Sequence, residues 1–525
     1  MRSLIFALAA LFLFSACTDN FEEFNQNPNQ ISDELLKQDF NLVGSPFSNM
    51  IFNINGHQVE EDLCADNWLG YMGTPTDFTG NVNNTTYYIR WNSYWGRIYG
   101  SIMSPAKQVI RLAQENNLPL FATWAKLIRI LGVSKLTAFH GPVIYSQYGI
   151  EANSIPYDSE KDLYELFFKQ LDSIQTDFAA NRDYQGFRKF DPTQYNGSIP
   201  QWQKLVNSLR LRLAMRLTKV DPAWAKREGE KALNDPAGLI TTNGDNFINN
   251  LLGNKIPVAQ ICYEWDDTRM GGVIESFMVG YKDGRISKYF APITNAALYA
   301  DHPDMPYKGI RNGAYIRAKA DRVPFSKVNE DFQTVQTRRN FTAAEVHFLK
   351  AEAALRGWEG AGDAKTNYEE GIRLSFADWG AGGVDAYIAD ATSKPIDYVD
   401  PLDDRNSFKV ISTVTIAWNE ADSDEVKLEK IITQKYLNNF TNTMEAWVDF
   451  RRTGYPRIPS AAKNDSNADW GIIPAGEFIK RMPFITAERD GNTEAVNAAV
   501  ATMGPGAKDD IATRLWWDTG TPGNF

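Results

Sequence analysis

The stretch FTAAEVHFLKAEAALRG, residues 341–357, is the part of the sequence that decides the fold. Its small and apolar residues recur at helical spacing, and Gly357 follows as a stop signal. The residues of this stripe are Phe341, Ala344, Phe348, Ala351 and Leu355. A partner helix is predicted from 361 to about 377, so the two form a helical hairpin in which alanines allow close approach. A period on the order of 34–38 residues is compatible with a tetratricopeptide-type unit.

Further helices are predicted on both sides of this hairpin, and long irregular segments separate them. The predicted helices cover 91–117, 120–140, 158–178, 201–218, a short stretch after Asp221-Pro222, 428–440 and 443–454. The irregular segments lie around 62–88, 235–340 and 380–423. The sequence therefore predicts a mainly all-α fold in which tetratricopeptide-like hairpins form a scaffold and long loop insertions carry the binding surface.

The first residues have the composition of a secretory signal. Arg2 is followed by an apolar run from Leu4 to Phe14 and by two small residues before Cys17, and the run is too short to span a bilayer. We interpret 1–16 as a lipoprotein signal peptide and Cys17 as the lipidated residue. The alternative is an ordinary cleaved signal that leaves Cys17 as a plain thiol.

After Cys17, the segment 17–32 is polar and without periodicity, which indicates a lipid-anchored tether. The remainder, 33–525, is predicted to form a single large domain with the loop insertions described above. Its composition is that of a folded globular protein.

Charge and motif content exclude several classes of function. The chain of 525 residues has a net charge of −11, which argues against a nucleic-acid partner. Its 4 histidines show no paired metal-ligand spacing, and no nucleophile motif occurs. We therefore predict no catalytic residue, no metal site and no cofactor.

Cys64 and Cys262 could form a disulfide or remain buried free thiols.

Five segments together resemble the SusD/RagB family of outer-membrane nutrient-binding lipoproteins, in particular its SusD-like branch. They are the lipobox ending at Cys17, FNQNPNQ at 24–30, RWNSYWGRIYGSI at 90–102, FTAAEVHFLKAEAALRG at 341–357 and QKYLNNFTNTMEAWVDFRRTGYPRI at 434–458. They run from one end of the chain to the other in the order expected for the family.

The resemblance implies an α-helical fold, a lipid anchor in the outer membrane and a partner, a SusC-like TonB-dependent transporter barrel that the protein caps as a lid. It also implies binding of oligosaccharides, or of peptides in other members, without catalysis. The acidic residues Asp19, Glu22 and Glu23 resemble a surface-export tag in the family. We therefore expect the protein to face the cell exterior, with a periplasm-facing location as the alternative.

Oligosaccharide capture requires aromatic platforms for sugar rings and polar groups for hydroxyls. In the first loop we predict Trp68 and Tyr71 as platforms, and Asp66, Asn67 and Asp77 as hydroxyl partners. The alternative for the two aromatic residues is packing inside the protein.

A second candidate segment is CYEWDDTRMGG at 262–272, which could face the first loop. Here we predict that Trp265, Asp266 and Arg269 bind ligand. The alternative is a surface turn with an internal Asp–Arg ion pair.

Three other functions are weighed against oligosaccharide binding. A peptide-binding member of the same family is the nearest alternative. A secreted glycoside hydrolase would need two carboxyl groups about 5–9.5 Å apart, and no hydrolase signature accompanies the many acidic residues. A purely structural helical-repeat adaptor would have no need for so many aromatic residues in loops.

Overall fold

A computed structural model of the protein describes residues 38–152 and 154–525. The predicted signal peptide 1–16, the tether 17–32 and Cys17 lie outside these residues. The chain divides after Ser45. The described part of the first unit contains a 3₁₀ turn, Gln38–Phe40, and a helical turn, Asn41–Gly44. The second unit, 46–525, carries everything described below.

Helices dominate residues 46–525, and the predicted mainly α-helical class is confirmed. The α-helices of nine or more residues are α1 (Ser104–Glu115), α2 (Pro119–His140), α3 (Glu160–Ala179), α4 (Ile199–Arg216), α5 (Pro222–Leu233), α6 (Gly272–Gly280), α7 (Ala343–Leu355), α8 (Ala364–Asp378), α9 (Asp424–Asn438), α10 (Thr443–Thr453) and α11 (Thr493–Ala501).

Shorter helical pieces connect these long helices. The short α-helices are Pro46–Phe52, Phe78–Asn81, Tyr94–Ile98, Pro257–Ala259, Ile286–Tyr289, Lys319–Arg322, Val384–Ile388 and Thr486–Gly491. The π-helical stretches are Gln58–Asp66, Tyr99–Met103 and Gln260–Glu264. The 3₁₀ turns are Asn84–Thr86, Asn243–Asp245, Ala296–Leu298, Glu330–Gln333 and Asp404–Asn406.

Two short antiparallel pairs of strands join segments that are distant in sequence. The strands are β1 (Met72–Gly73), β2 (Phe247–Asn250), β3 (Arg269–Met270) and β4 (Thr337–Phe341). β1 pairs with β3, and β2 pairs with β4. The first pair joins two of the long insertions to each other, and the second joins the two ends of the insertion 235–340.

The helix boundaries follow the capping signals in the sequence. The side chains of Ser159, Asp221 and Thr342 each accept a hydrogen bond from a backbone N–H in the first turn of the helix that follows. At the C-terminal ends, Gly141 and Gly454 adopt φ values of 98° and 79°, which other residue types rarely reach. These signals place α2, α3 and α10 within a few residues of their predicted positions.

Consecutive helices pack against each other as antiparallel pairs. α1 packs on α2 and α4 on α5, while the predicted hairpin is formed by α7 and α8. In that hairpin Gly371 of α8 faces the ring of Phe348 of α7, and a Cβ atom at Gly371 would lie 2.8 Å from the ring. A side chain there would force the two helices apart, so glycine sets their spacing.

The insertions are more ordered and more buried than the sequence suggests. The sequence predicts an irregular segment over 62–88, yet most of its residues are buried. Within 235–340 the structure forms α6, whose apolar residues lie in the core. A nine-residue apolar run carries too little periodicity to be distinguished from a buried strand or loop, and tertiary packing decides its conformation.

Buried ion pairs hold α4 against α7 and α10. The Arg212 guanidinium lies 2.7 Å from Glu345 of α7, and the Arg216 guanidinium lies 2.7 Å from Glu445 of α10. Arg212 also approaches Glu445 at 3.6 Å. All four side chains are at most 5% exposed. These arginines therefore form ion pairs inside the protein, although arginine side chains usually lie at the surface.

A second buried pair links α7 and α10 near their C-terminal ends. Arg452 donates to Glu352 through both terminal nitrogens, at 2.6 and 2.7 Å. Burial alone would raise the pKa of Glu352, but the charges of Arg452 and Arg356 outweigh it and lower the pKa to about 2. The carboxylate therefore stays charged over the physiological pH range.

We expect Glu445→Gln to lower the free energy of unfolding by about 3–5 kcal/mol, because it leaves the Arg216 charge buried without its partner. Denaturant unfolding followed by circular dichroism measures this change. Glu115→Gln is the matched control, since Glu115 pairs with Arg111 at 2.7 Å on the surface with both side chains more than half exposed, and such a pair contributes about 0.5 kcal/mol. Equal effects of the two substitutions would contradict the role given to the buried pairs.

Candidate functional site

The two segments predicted to bind ligand meet in the structure. Strand β1 lies within the first segment and β3 within the second, with Met72 opposite Met270 and Gly73 opposite Arg269. Beyond the strands, the Thr76 hydroxyl donates to Asp267 Oδ1 at 2.6 Å. The predicted binding residues therefore lie on neighbouring pieces of chain, although nearly two hundred residues separate them in sequence.

Trp68 and Tyr71 are part of the core. Trp68 is 2% exposed and Tyr71 is fully buried. The Trp68 indole N–H donates to the carbonyl of Asn84 at 2.8 Å, and the Tyr71 hydroxyl donates to the carbonyl of Tyr436 at 2.6 Å. Their rings face other aromatic rings rather than solvent. Packing, the alternative interpretation, describes their environment, and their role in ligand binding stays a prediction.

Asp66 and Asn67 are also buried and make internal hydrogen bonds. The Asn67 amide donates to the carbonyl of Asp62 at 2.7 Å, and Asp66 accepts from the hydroxyl of Thr443. Asp66 and Tyr71 line a narrow cavity of about 20 Å³, which has room for about one water molecule. A sugar ring does not fit there. Their role in ligand binding, like that of Trp68, stays a prediction.

Burial changes the protonation of the carboxyl groups in this cavity. It raises the pKa of Asp66 to about 7, and the nearby charge of Glu61 adds to the increase. The pKa of Asp62 rises well above its usual value for the same reason, with the Asp66 charge adding to the effect of burial. These carboxyl groups lie under the surface where the two segments meet.

The accessible part of the two segments centres on Trp265. Its side chain is 39% exposed, and the His57 ring lies beside it with centroids 5.8 Å apart. Lys319 donates to the Trp265 carbonyl at 3.1 Å and to Asp267 at 2.6 Å. Asp77 follows Thr76 and is exposed. We call Thr76, Asp77, Trp265, Asp267 and Lys319 the Trp265 surface.

Asp266 and Arg269 form the internal ion pair that was the alternative interpretation of this segment. Arg269 donates to Asp266 at 2.6 Å and is fully buried, while Lys327 approaches the same carboxylate at 3.1 Å. Although burial opposes it, the hydrogen bond from Arg269 lowers the pKa of Asp266. The pair holds the turn that presents Trp265, and direct ligand contact by these two residues stays a prediction.

Left-handed backbone conformations occur in both segments, as they also do at other positions of the described chain. Thr79 and Asn81 adopt φ values of 53° and 62°, and Asp266 adopts 58°. Such values are uncommon for residues other than glycine, above all for a β-branched residue such as Thr79. Strained residues of this kind cluster at binding sites, where the surrounding structure fixes a loop in a functional shape.

Among the described residues, one group of side chains has the geometry to hold a metal ion: Glu275, Asp301 and His302. Lys308 already neutralises this group, since its ammonium lies 2.8 Å from Glu275 and 3.1 Å from Asp301. His302 also contacts Glu275 at 2.9 Å. The arrangement is a partly buried ion-pair cluster in which Lys308 supplies the cation.

The two described cysteines are free. Cys64 and Cys262 are both buried and unpaired. Burial raises the pKa of the Cys64 thiol well above its usual value and that of Cys262 to about 11. Of the two possibilities left open by the sequence, the free thiol is the one observed.

Sequence reasoning missed Lys319, which belongs to the Trp265 surface, and His57, which lies beside it. Lys319 lies more than fifty residues after Trp265 in a segment without periodicity, and nothing in its neighbours distinguishes it from other surface lysines. His57 precedes the segment 62–88 in which the binding residues are predicted. Only the folded chain brings them to Trp265.

Residues 38–152 and 154–525 contain no helix that is both long and apolar enough to cross a membrane.

Comparison with known proteins gives one consistent result. The profile of the family described as SusD-like, Susd and RagB outer membrane lipoprotein, matches residues 23–518. A chitin-binding SusD homologue from Flavobacterium johnsoniae is 37% identical with a TM-score of 0.85, and the match covers 92% of this chain and 100% of that one. A SusD-like protein from Bacteroides thetaiotaomicron is 32% identical with a TM-score of 0.79, and the match covers 92% of this chain and 98% of that one. A SusD homologue from Bacteroides vulgatus is 30% identical with a TM-score of 0.84, and the match covers 92% of this chain and 99% of that one. No curated protein matches the chain.

The raised pKa of Asp66 predicts a pH-dependent stability. In the unfolded chain an aspartate titrates near 3.9, whereas in the folded state Asp66 keeps its proton up to about pH 7. The folded state therefore binds more protons between about pH 4 and 7, and the stability contributed by protonated Asp66 is lost as the pH rises through that window. Asp66→Asn imitates the protonated group and keeps an acceptor for Thr443.

We expect Asp66→Asn to gain about 2 kcal/mol of stability relative to the unsubstituted protein between about pH 5.5 and pH 8.5. Urea unfolding at the two pH values measures the difference. Asp77→Asn, at an exposed position, serves as the control and should follow the unsubstituted protein at both values. If the free energies of unfolding of Asp66→Asn and the unsubstituted protein change in parallel with pH, Asp66 is ionised in the folded state and the prediction is wrong.

Proposed function

The chain belongs to the SusD and RagB family of outer membrane lipoproteins, and we propose that it captures oligosaccharides at the Trp265 surface and delivers them to a SusC-like TonB-dependent transporter. The observation that carries this proposal is the exposed Trp265 ring, flanked by a carboxylate and an ammonium group on segments that the fold brings together.

The chemistry of the Trp265 surface suits a sugar. An indole face that is open to solvent can pack against the C–H face of a pyranose ring. Asp77 and Asp267 supply acceptors, and Lys319 supplies donors, for the hydroxyl groups at the edge of that ring. Asp66, Asn67, Trp68 and Tyr71 support this surface from below.

The charges of the Trp265 surface favour a neutral ligand. Asp267 pairs with Lys319 at 2.6 Å, and Asp266 pairs with both Arg269 and Lys327. The local charge is thus nearly balanced, which favours an uncharged glycan over a charged peptide. Because a relative with 37% identity is chitin-binding, oligomers of N-acetylglucosamine are the first ligand class to test.

The same ion pairs disfavour catalysis. A glycosidase needs a carboxylic acid that keeps its proton near neutral pH, together with a second carboxylate. Asp266 has a lowered pKa, and Asp66, which keeps its proton to about pH 7, is buried beneath the surface, so neither offers such a proton to a sugar bound at the Trp265 surface. Binding without cleavage is therefore the proposed activity, and the family's peptide-binding members remain the nearest alternative.

The proposed location follows from family membership and from the sequence around Cys17. Acylation of Cys17 would anchor the protein in the outer membrane, and more than one acyl chain is needed for stable attachment. The acidic residues that follow Cys17 support a position facing the cell exterior, where the ligand is met before transport.

Isothermal calorimetry of the chain from residue 18 tests the proposal, with a panel of neutral oligosaccharides, chito-oligosaccharides first, and a peptide digest. The same mixtures are assayed for cleavage products. We expect one glycan class to bind and to remain intact. Cleavage of the glycan would contradict this proposal and indicate a glycoside hydrolase. Binding of peptides alone would indicate a peptide-binding member of the family.

We expect Trp265→Ala to weaken binding of that glycan by about tenfold or more, because truncating a central aromatic anchor removes most of its contact area. The unfolding temperature should not change, since the side chain is exposed. Phe525→Ala is the control: Phe525 is 57% exposed and packs on Arg356, so its removal should leave affinity unchanged. Unaltered binding by Trp265→Ala would remove the Trp265 surface from the proposal.

A further inference from the structure

A second cavity, of about 400 Å³, opens beside the C-terminal end of α10. It lies between the end of that helix, residues 478–480 and the segment 514–523, with Lys219 on one side. The volume falls in the range of small-molecule sites. None of the residues of the Trp265 surface lines it, so it is a separate site.

The walls of this cavity carry positive charge only. Its ionisable residues are Lys219, Arg451, Arg452, Arg457, Lys480 and Arg514. No aspartate or glutamate lines it, although the whole chain has a net charge of −11. A concave surface of one sign inside low-dielectric walls concentrates ions of the opposite sign.

Two of these cations have no carboxylate within 4 Å among the described residues: Lys219 and Arg451. Lys219 donates to the carbonyl of Thr521 at 2.6 Å. Arg451 donates to three backbone carbonyls and lies 3.5 Å from the centre of the Trp447 ring. Arg451 is 7% exposed, and burial lowers its pKa to about 9. Asp518 and Glu160 lie near enough to favour the charged form of Arg451, but neither makes an ion pair with it, and a buried charge without a direct ion-pair partner is costly.

The cations nearest the opening are only partly neutralised. Arg457 is held by Glu429 at 3.2 Å and Arg514 by Asp518 at 2.7 Å. The Arg457 side chain is 50% exposed and that of Arg514 is 38% exposed. Each guanidinium has five N–H groups, so both retain donors that can face a ligand.

Apolar groups complete the cavity. Phe450 and Phe478 pack edge to face with centroids 4.7 Å apart. Ile458 is buried beneath them, and Ile411 is 49% exposed at the rim. Cations together with aromatic and aliphatic walls match a molecule that has both an anionic group and a C–H surface.

We propose that this cavity binds the carboxylate or sulfate group of an acidic saccharide, with Lys219, Arg451 and Arg457 surrounding the anion and Phe450 and Phe478 contacting the sugar ring. Guanidinium groups bind carboxylates and sulfates through paired, charge-assisted hydrogen bonds. This inference does not depend on the Trp265 surface, which carries a balanced charge and a different ligand class.

The test is calorimetric titration of the full chain from residue 18 with sodium glucuronate, sodium sulfate and N-acetylglucosamine, at constant ionic strength. We expect glucuronate to bind and N-acetylglucosamine to leave the cavity empty. Lys219→Gln and Arg457→Gln should each weaken glucuronate binding by about tenfold, whereas Arg111→Gln, an exposed arginine that also pairs with one glutamate, should not change it.

Trp265→Ala separates this inference from the proposed function, because it should leave glucuronate binding intact. Absence of glucuronate binding would overturn the inference. Equal glucuronate affinities of Lys219→Gln, Arg457→Gln and Arg111→Gln would overturn it as well. Binding of sulfate but not of glucuronate would also overturn it, since the cavity would then be a site for inorganic anions only. Lys219 and Arg457 are both partly exposed, so replacing either one leaves the hydrophobic core intact. At least one of the two variants is therefore expected to fold.

Discussion

The buried ion pairs between α4, α7 and α10 are the constraint on which the rest of the structure depends. Arg212 and Arg216 lie one turn apart on α4 and reach Glu345 and Glu445, which belong to helices more than a hundred residues later. The guanidinium of Arg212 also lies 3.4 Å from the centre of the Phe341 ring. Ion pairs with fixed geometry accept only one register of the helices around them, because any shift leaves a charge unpaired in the interior.

This rigid frame accounts for how two distant insertions form one surface. The first insertion precedes the helical body and the second interrupts it, so local sequence cannot bring them together. β1 and β3 pair across the insertions, and the Tyr71 hydroxyl bonds to α9. The aromatic residues beneath the surface therefore fix its position, and Trp265 is left exposed above them.

The Trp265 surface and the cavity beside α10 differ in charge. Asp267 of the Trp265 surface pairs with Lys319, and the neighbouring Asp266 pairs with Arg269, which leaves little net charge there. The cavity beside α10 is lined by more cationic side chains than there are carboxylates that pair with them. A protein that meets mixed polysaccharides could use such a difference to bind neutral and acidic sugars at separate places.

The sequence predicted the helices well and the binding residues poorly, for physical reasons. Helix α3 could be located because Ser159 caps it and an apolar stripe follows, and both signals are local. Trp68 and Trp265 have similar neighbours in sequence, yet one is buried and the other exposed. Their exposure depends on what packs against them from distant segments, Trp447 for Trp68 and Lys319 for Trp265.

A crystal structure with the tightest-binding neutral oligosaccharide present would show where the glycan lies on the protein. We expect a sugar ring stacked on the open face of Trp265, with hydroxyl groups within hydrogen-bond distance of Asp77, Asp267 or Lys319. A glycan bound elsewhere, with Trp265 uncovered, would contradict it.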